Sequence, residues 1–372
     1  MRLPVDVAQQ LRAGSGPNAQ FAAAELAATA ALEWRECADT TRAECARRIV
    51  ALLSDDAGLN NLRPVVRARA GDRLSQLGDL RFDPKRFWLP ADEMLGFVRI
   101  AADPKFRIGT CQADGQRVAK SIGGKVPDRE ISEALTPTPE FFIARYPVTV
   151  AQFRTFVDAT GFHIGNKDAL SDRENRPVRY VSWHEAIAYC DWLNDVLAKL
   201  PLLEDSEAAG LVRQHQWRVA LPGELEWEKA ARGGLRDMVF PWGNDADPAR
   251  ANYDDSKIGD TSAVGCFSPN DFGLYDMIGN LFEWTRSLWG TQWWWVFCLS
   301  RIRSALFNLR KSFADNAERS SSGKTRAQIS SSSLSSEASS PQPVLCFLFP
   351  RIRNVNADHR NPSRRAWWKT DN

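Results

Sequence analysis

Residues 264–286, VGCFSPNDFGLYDMIGNLFEWTR, constrain this chain more than any other stretch. Gly273 and Gly279 mark two turns, because glycine alone enters left-handed backbone without steric cost. Asp276, Asn280 and Glu283 crowd the second turn beside Trp284. Oxygen donors this close together, on a backbone that must turn, suit a hard cation such as Ca²⁺. They also suit a tight loop whose Asn and Asp side chains cap their own backbone. The spacing leaves both readings open.

Two helices are legible upstream. Ser182 with Glu185 three positions on forms a capping box. Ala186, Ile187, Cys190, Leu193, Val196 and Leu197 then recur at helical spacing as one buried stripe. Pro222 and Gly223 start the second helix. Glu224, Glu226 and Glu228 lie in its first turns, where negative charge suits the helix dipole. Trp227 and Ala231 are one turn apart and should face the core. The apolar run FFIARYPVTV, closed by Pro147, Val148 and Thr149, reads as a strand. Stretches 111–139 and 235–272 show little periodicity and read as loops.

The first 90 residues read as a helical region, with helices near 5–13, 18–36, 40–54 and 60–77 separated by turn signals. Either this region docks or regulates, or it is a helical support packed against the later domain. The N-terminus has no apolar h-region, so no signal peptide is expected. WWWVFCL (293–299) is too short to span a bilayer. A net charge of +2 gives no strong field toward nucleic acid or an anionic membrane. Cys37, Cys45, Cys111, Cys190, Cys266, Cys298 and Cys346 form no C-x-x-C pair, which suits reduced thiols and a cytoplasmic location. His163, His184, His215 and His359 show no metal-ligand spacing, so a histidine-rich iron site is not expected. From about 290 the character changes. A basic stretch (Arg301, Arg303, Arg310, Lys311) leads into a run with eleven serines between 320 and 340, a composition that reads as low-complexity and disordered.

GLYDMIGNLFEW resembles the signature of the formylglycine-generating enzyme (sulfatase-modifying factor) family. Four other segments resemble that family's motifs in the same order: MLGFVRIAADPKFRIGT (94–110), EFFIARYPVTVAQFRTFV (140–157), RPVRYVSWHEAIAYCDWLN (176–194), and WRVALPGELEWEKAARGG (217–234) with PWG (241–243) after it. VRARAGDRLSQLGDLRFDP (66–84) resembles a lead-in found before this domain in bacterial proteins. The resemblance implies an α+β, C-type-lectin-like fold over 91–290, preceded by a small helical domain (1–90) and followed by a divergent, disordered tail (291–372). The family's closing segments, an RGGSW strand and a final GFR strand, are not found. A frame change and a genuinely divergent tail both account for this. The family's Thr is Gly here at 223, so that helix start should be weaker, lacking a side-chain oxygen.

The resemblance also implies structural calcium. Asp276 and Glu283 would give side-chain oxygens, with the carbonyls of Gly279 and Leu281. A second site would begin at Asn252 and the carbonyl of Tyr253, with Asp255 or Asp260 completing it. Catalytic members use copper on two nearby thiolates and O₂ to oxidise a protein cysteine to formylglycine. That cysteine pair is not placed by this sequence, and many bacterial members lack it. The chain is therefore expected to be a non-catalytic, calcium-stabilised module binding a protein or peptide ligand. The alternative is an oxidoreductase acting on a protein cysteine. Some relatives are variable ligand receptors, and RNVNADHRNP (353–362) faintly resembles their variable segment.

Overall fold

The computed structural model describes residues 16–121, 126, 131–199, 203, 205–214, 217–235, 238–287 and 343–351. Four helices come first: α1 (Pro17–Glu33), α2 (Asp39–Leu53), α3 (Asp56–Leu59) and α4 (Pro64–Leu77). Pro17 and Pro64 sit in the first turns of α1 and α4, where a missing N–H costs nothing. The helix expected at 5–13 lies outside the described residues.

Small side chains let α1, α2 and α4 approach closely. Ala24, Ala28, Ala46 and Ala70 pack with Phe21, Ile49 and Leu74, and the same cluster takes in Ala263, Cys266 and Phe267 from far along the chain. The contact of α4 with that distant segment is tight. A Cβ on Gly71 would lie 2.7 Å from Cys266 Sγ and 2.8 Å from Ala263 Cβ, so only glycine fits. Polar clamps fix the same seam. Arg67, fully buried, donates to the carbonyls of Ala249 (2.7 Å) and Leu62 (2.9 Å). Asn175 donates to the Gly71 carbonyl and to Asp79, each at 3.0 Å. Arg81 pairs with Asp79 and donates to the Val264 carbonyl at 2.8 Å. Burial alone would raise the Asp79 carboxyl, but the Arg81 guanidinium and the donors around it hold it below its ordinary value.

The strands are β1 (Phe82–Asp83), β2 (Leu89–Pro90), β3 (Phe97–Ile100), β4 (Phe141–Ala144), β5 (Arg218–Ala220), β6 (Phe282–Glu283), β7 (Val344–Cys346) and β8 (Pro350–Arg351). The main sheet has the order β3-β4-β7-β5. β3 and β4 are antiparallel, and β7 runs parallel to both of its neighbours, with Leu345 opposite Phe142 on one side and Val219 on the other. Successive side chains point to opposite faces, and both faces are covered. Phe97, Phe142, Val219, Leu345 and Phe347 enter one core with the helices Val150–Thr160 and Trp183–Lys199. Ile100, Phe141, Ile143, Ala220 and Cys346 enter the other.

β7 and β8 correct the expectation of a wholly disordered tail without a closing strand. Residues 343–351 supply the strand that joins β4 to β5. A strand buried on both faces has no polar alternation; Val344–Phe349 is an unbroken apolar run between Pro343 and Pro350, and it is buried throughout. The Ser-rich run before it, and residues 352–372 after it, lie outside the described residues.

The remaining helices are α5 (Gly115–Ser121), α6 (Val150–Thr160), α7 (Trp183–Lys199), α8 (Glu207–Arg213) and α9 (Glu224–Ala231). α5 falls in a stretch expected to be loop. The expected strand FFIARYPVTV ends at Ala144. Pro147 cannot donate to a ladder, and Thr149 caps α6 instead, accepting from the Gln152 N–H while the Gln152 side chain accepts from Thr149 N–H at 2.9 Å. The expected box at α7 is present: Glu185 accepts from the Ser182 N–H at 2.6 Å, and Ser182 Oγ from Glu185 N–H at 3.3 Å.

The seam at Gly71 gives a direct test. Gly71→Ala should destabilise the protein by about 1–3 kcal/mol in urea unfolding, because the new methyl overpacks it. Gly210→Ala, inside α8 with open space around it, should stabilise by roughly 0.5–1 kcal/mol. Equal effects at the two positions would contradict the close approach of α4.

Candidate functional site

The GLYDMIGNLFEW loop curls on itself. Gly273 and Gly279 have φ of 77° and 76°, and Asp276 and Asn280 are also left-handed, each at 56°. Asn and Asp tolerate this conformation better than other side chains. Asn280 is the loop's centre. Its Oδ1 accepts from Asn252 Nδ2 (3.1 Å) and from the Ser262 N–H (2.9 Å); its Nδ2 donates to the Ser262 carbonyl (3.2 Å) and to Asp276 Oδ1 (3.3 Å). Asp276 Oδ2 accepts from the Gly265 N–H at 2.7 Å. Burial pushes the Asp276 carboxyl up to about 6, against the pull of the Gly265 hydrogen bond and the Arg81 charge.

Of the second sequence-predicted metal group, Asn252 meets the loop of the first. Asn252 pairs with Gly279 in a parallel bridge, and its carbonyl accepts from the Asn280 N–H at 2.7 Å. A Cβ on Gly279 would sit 2.5 Å from that carbonyl oxygen, so this glycine is required by a close approach as well as by its φ. The Tyr253 carbonyl accepts from Ser256 N–H (2.9 Å) and Oγ (2.6 Å), and the Gly279 carbonyl accepts from Leu281 N–H at 2.5 Å. Asp260 points its carboxylate at Arg176 (3.0 Å) and Arg179 (2.7 Å), while exposed Asp255 faces Lys257 at 3.5 Å. Glu283 is buried and accepts from the indole N–H of Trp227 in α9.

Among the described residues, no three His, Cys, Asp or Glu side chains are grouped to hold a metal. The candidates are hard oxygens of the type Ca²⁺ takes, carbonyls and an amide included. Asp276 in particular is a buried carboxylate that a cation would favour in its charged form.

The loop's exit is held by segments remote in sequence. Trp284 N–H donates to the Phe349 carbonyl (2.8 Å), and β6 pairs with β8. Trp284 Nε1 donates to the Val181 carbonyl (2.9 Å), while Trp183 Nε1 donates to the Thr285 carbonyl (3.0 Å). Ser287 Oγ accepts from the Glu224 N–H at 2.8 Å. It supplies the cap that Gly223 lacks, alongside the Glu226 carboxylate accepting from Gly223 N–H at 2.7 Å. Sequence reasoning does not find Ser262, Gly265, Trp227 and Ser287 as partners. Only Gly265, with φ of 71°, carries a local signal.

Cys37 and Cys45 sit together in the N-terminal helices, while Cys190, Cys266 and Cys346 each belong to a different core cluster. Burial pushes the Cys266 thiol up to about 12 and raises the Cys190 and Cys346 thiols well above the ordinary thiol value. Cys346 donates to Glu226 at 3.7 Å, beside Arg286. Cys190, Cys266 and Cys346, protonated and in separate cores, do not fit a two-thiolate copper site. Cys298 lies outside the described residues.

Residues 109–341, more than half of the chain, match the sulfatase-modifying factor enzyme 1-like domain family. The chain belongs to this family. It is 27% identical over 262 residues to a formylglycine-generating enzyme of Thermomonospora curvata, covering 51% of this chain and 78% of that protein. It is 30% identical over 239 residues to an inactive C-alpha-formylglycine-generating enzyme 2 of Bos taurus, covering 49% and 68%. It is 33% identical over 138 residues to the formylglycine-generating enzyme of Mus musculus, covering 34% of this chain and 31% of that one.

Asn280 is the residue on which the loop's order rests. Asn280→Ala should cost roughly 2–4 kcal/mol, since it strands the Ser262 backbone and the Asn252 amide at once. Urea unfolding measures this; a cost below about 1 kcal/mol would contradict the network.

Proposed function

We propose that this chain is a non-catalytic binding module on the formylglycine-generating-enzyme scaffold, in its C-type-lectin-like form, stabilised by Ca²⁺ at the GLYDMIGNLFEW loop. The observation that carries the reading is the contrast between two sets of donors. The hard-oxygen residues, Asp276, Asn280 and Asn252, are gathered in one loop cluster. The buried thiols of Cys190, Cys266 and Cys346 lie in separate cores, where burial holds them protonated. Asp276 and Glu283, with the Gly279 and Leu281 carbonyls, would hold one cation; Asn252 and the Tyr253 carbonyl would begin a second site. The bovine relative named as inactive supports a family role without the oxidation step. The ligand would be a protein or peptide, with the protein acting in the cytoplasm.

The oxidoreductase reading draws support from the enzyme of Thermomonospora curvata, most of whose length this chain covers. Stoichiometric Cu(I) uptake with O₂ consumption on a Cys-x-Pro-x-Arg peptide would establish it and remove the module reading.

A native-state ligand stabilises by mass action. At Ca²⁺ about a hundred times its Kd, the melting temperature should rise by roughly 5 °C or more over protein in EDTA. Glu283→Ala also loses the Trp227 hydrogen bond, so the Ca²⁺-induced shift is the readout rather than the melting temperature itself. The shift should vanish in that variant. No shift in the unmodified protein would overturn the calcium assignment.

A further inference from the structure

A cleft of about 360 Å³ opens between the segment 103–114 and the C-terminal half of α9 with the turn after it. Its volume lies within the range of small-molecule sites. Phe106, Leu135 and Phe272 form apolar walls. Leu135 is 52% exposed, an apolar side chain left open at the rim.

The polar lining holds Lys105, Arg107, Lys229 and Arg232 with Asp103 and Asp114, and Glu228 and Glu133 pair with Arg232 and Arg107 from behind it. Asp103 and Asp114 are engaged locally: Asp114 accepts from Cys111 Sγ (3.0 Å) and Arg117 (2.8 Å), and Asp103 accepts from the Lys105 N–H (2.9 Å). Among the described residues Arg107 pairs with Glu133 at 3.9 Å, a long contact. Arg232 is paired with Glu228 and lies over the Phe106 ring at 5.2 Å, which fixes its guanidinium at the wall. Burial lowers the Lys229 ammonium below its usual range, against the pull of the Asp103 charge.

Three buried polar atoms of residues that line the cleft have no hydrogen-bond partner among the described residues: Thr110 Oγ1, Arg107 Nε and Arg232 Nε. Thr110 and Arg232 are 2% and 6% exposed. Buried donors left without acceptors are rare in native proteins and call for a cause. All three belong to residues of one cleft's wall, beside the apolar side chains of Phe106, Leu135 and Phe272.

We propose that this cleft binds a small organic carboxylate with an apolar body, its carboxylate accepting from Arg107 and Thr110 and its body against Phe106, Leu135 and Phe272. A guanidinium suits a planar carboxylate through paired N–H donors, and the apolar walls set the requirement for a hydrophobic body. The proposal goes beyond the binding-module reading and does not depend on calcium.

The test is calorimetric titration of the full chain with phenylacetate, inorganic phosphate and phenylethylamine as separate probes. Phenylacetate should bind in the millimolar range or tighter, with phosphate and phenylethylamine at least ten-fold weaker. Arg107→Ala should weaken phenylacetate at least ten-fold. Thr110→Val, which replaces the orphaned hydroxyl by a methyl of similar shape, should leave the melting temperature unchanged or raised while still weakening phenylacetate. No heat with phenylacetate at 10 mM would overturn the proposal, as would phosphate binding equally well, or binding that survives Arg107→Ala.

Discussion

Strand β7 is the piece on which the rest of this structure depends. Among the described residues β4 and β5 share no ladder with each other; each pairs with β7, in parallel, and β3 on the far side of β4 is the further strand of this sheet. Removing Val344–Cys346 would therefore open the sheet down its middle and strip both cores at once. Leu345 and Phe347 fill one face, Val344, Cys346 and Leu348 the other. The next residues carry the order outward. The Leu348 carbonyl accepts from Val148 ahead of α6, and the Phe349 carbonyl accepts from Trp284 at the loop's exit, both at 2.8 Å. A single short segment, 343–351, thus reaches the sheet, a helix start and the candidate site.

The candidate site is built by backbone as much as by side chain. Asn280 satisfies both directions of the Ser262 peptide, and the Asn252 carbonyl fixes the amide just after Gly279. Left-handed Asp276 and Asn280 make this possible, at a conformational cost that their local hydrogen bonds offset. The same economy recurs at α9. Gly223 brings no capping oxygen, yet Ser287, delivered by the strand that leaves the loop, accepts from the Glu224 N–H. A helix start that looks weak in isolation is completed by a residue 63 positions away.

The features legible in the sequence are local. The capping box at Ser182 and Glu185, the buried stripe of α7 and the glycine turns at Gly273 and Gly279 depend on neighbours within a turn or two. Helices α1, α2 and α4 are marked out by turn signals in the same way. The misses have non-local causes. FFIARYPVTV is too long as a strand, because Thr149 and Gln152 form a cap whose signal competes with the apolar run. Val344–Phe349 is hidden by its context: an apolar run of six carries no period, and it comes after a serine-rich stretch. Trp227 as the partner of Glu283 has no local signal at all, since the two are brought together only when β6 packs on α9.

The central claim is that residues 344–349 are an interior strand. Amide hydrogen exchange monitored by mass spectrometry tests it directly, since protection reports local opening free energy. The account predicts that peptides covering 344–349 and 141–144 exchange together, at the slow rate of the global unfolding reaction. Exchange of 344–349 within seconds, with 141–144 still protected, would contradict it and leave the sheet without its middle.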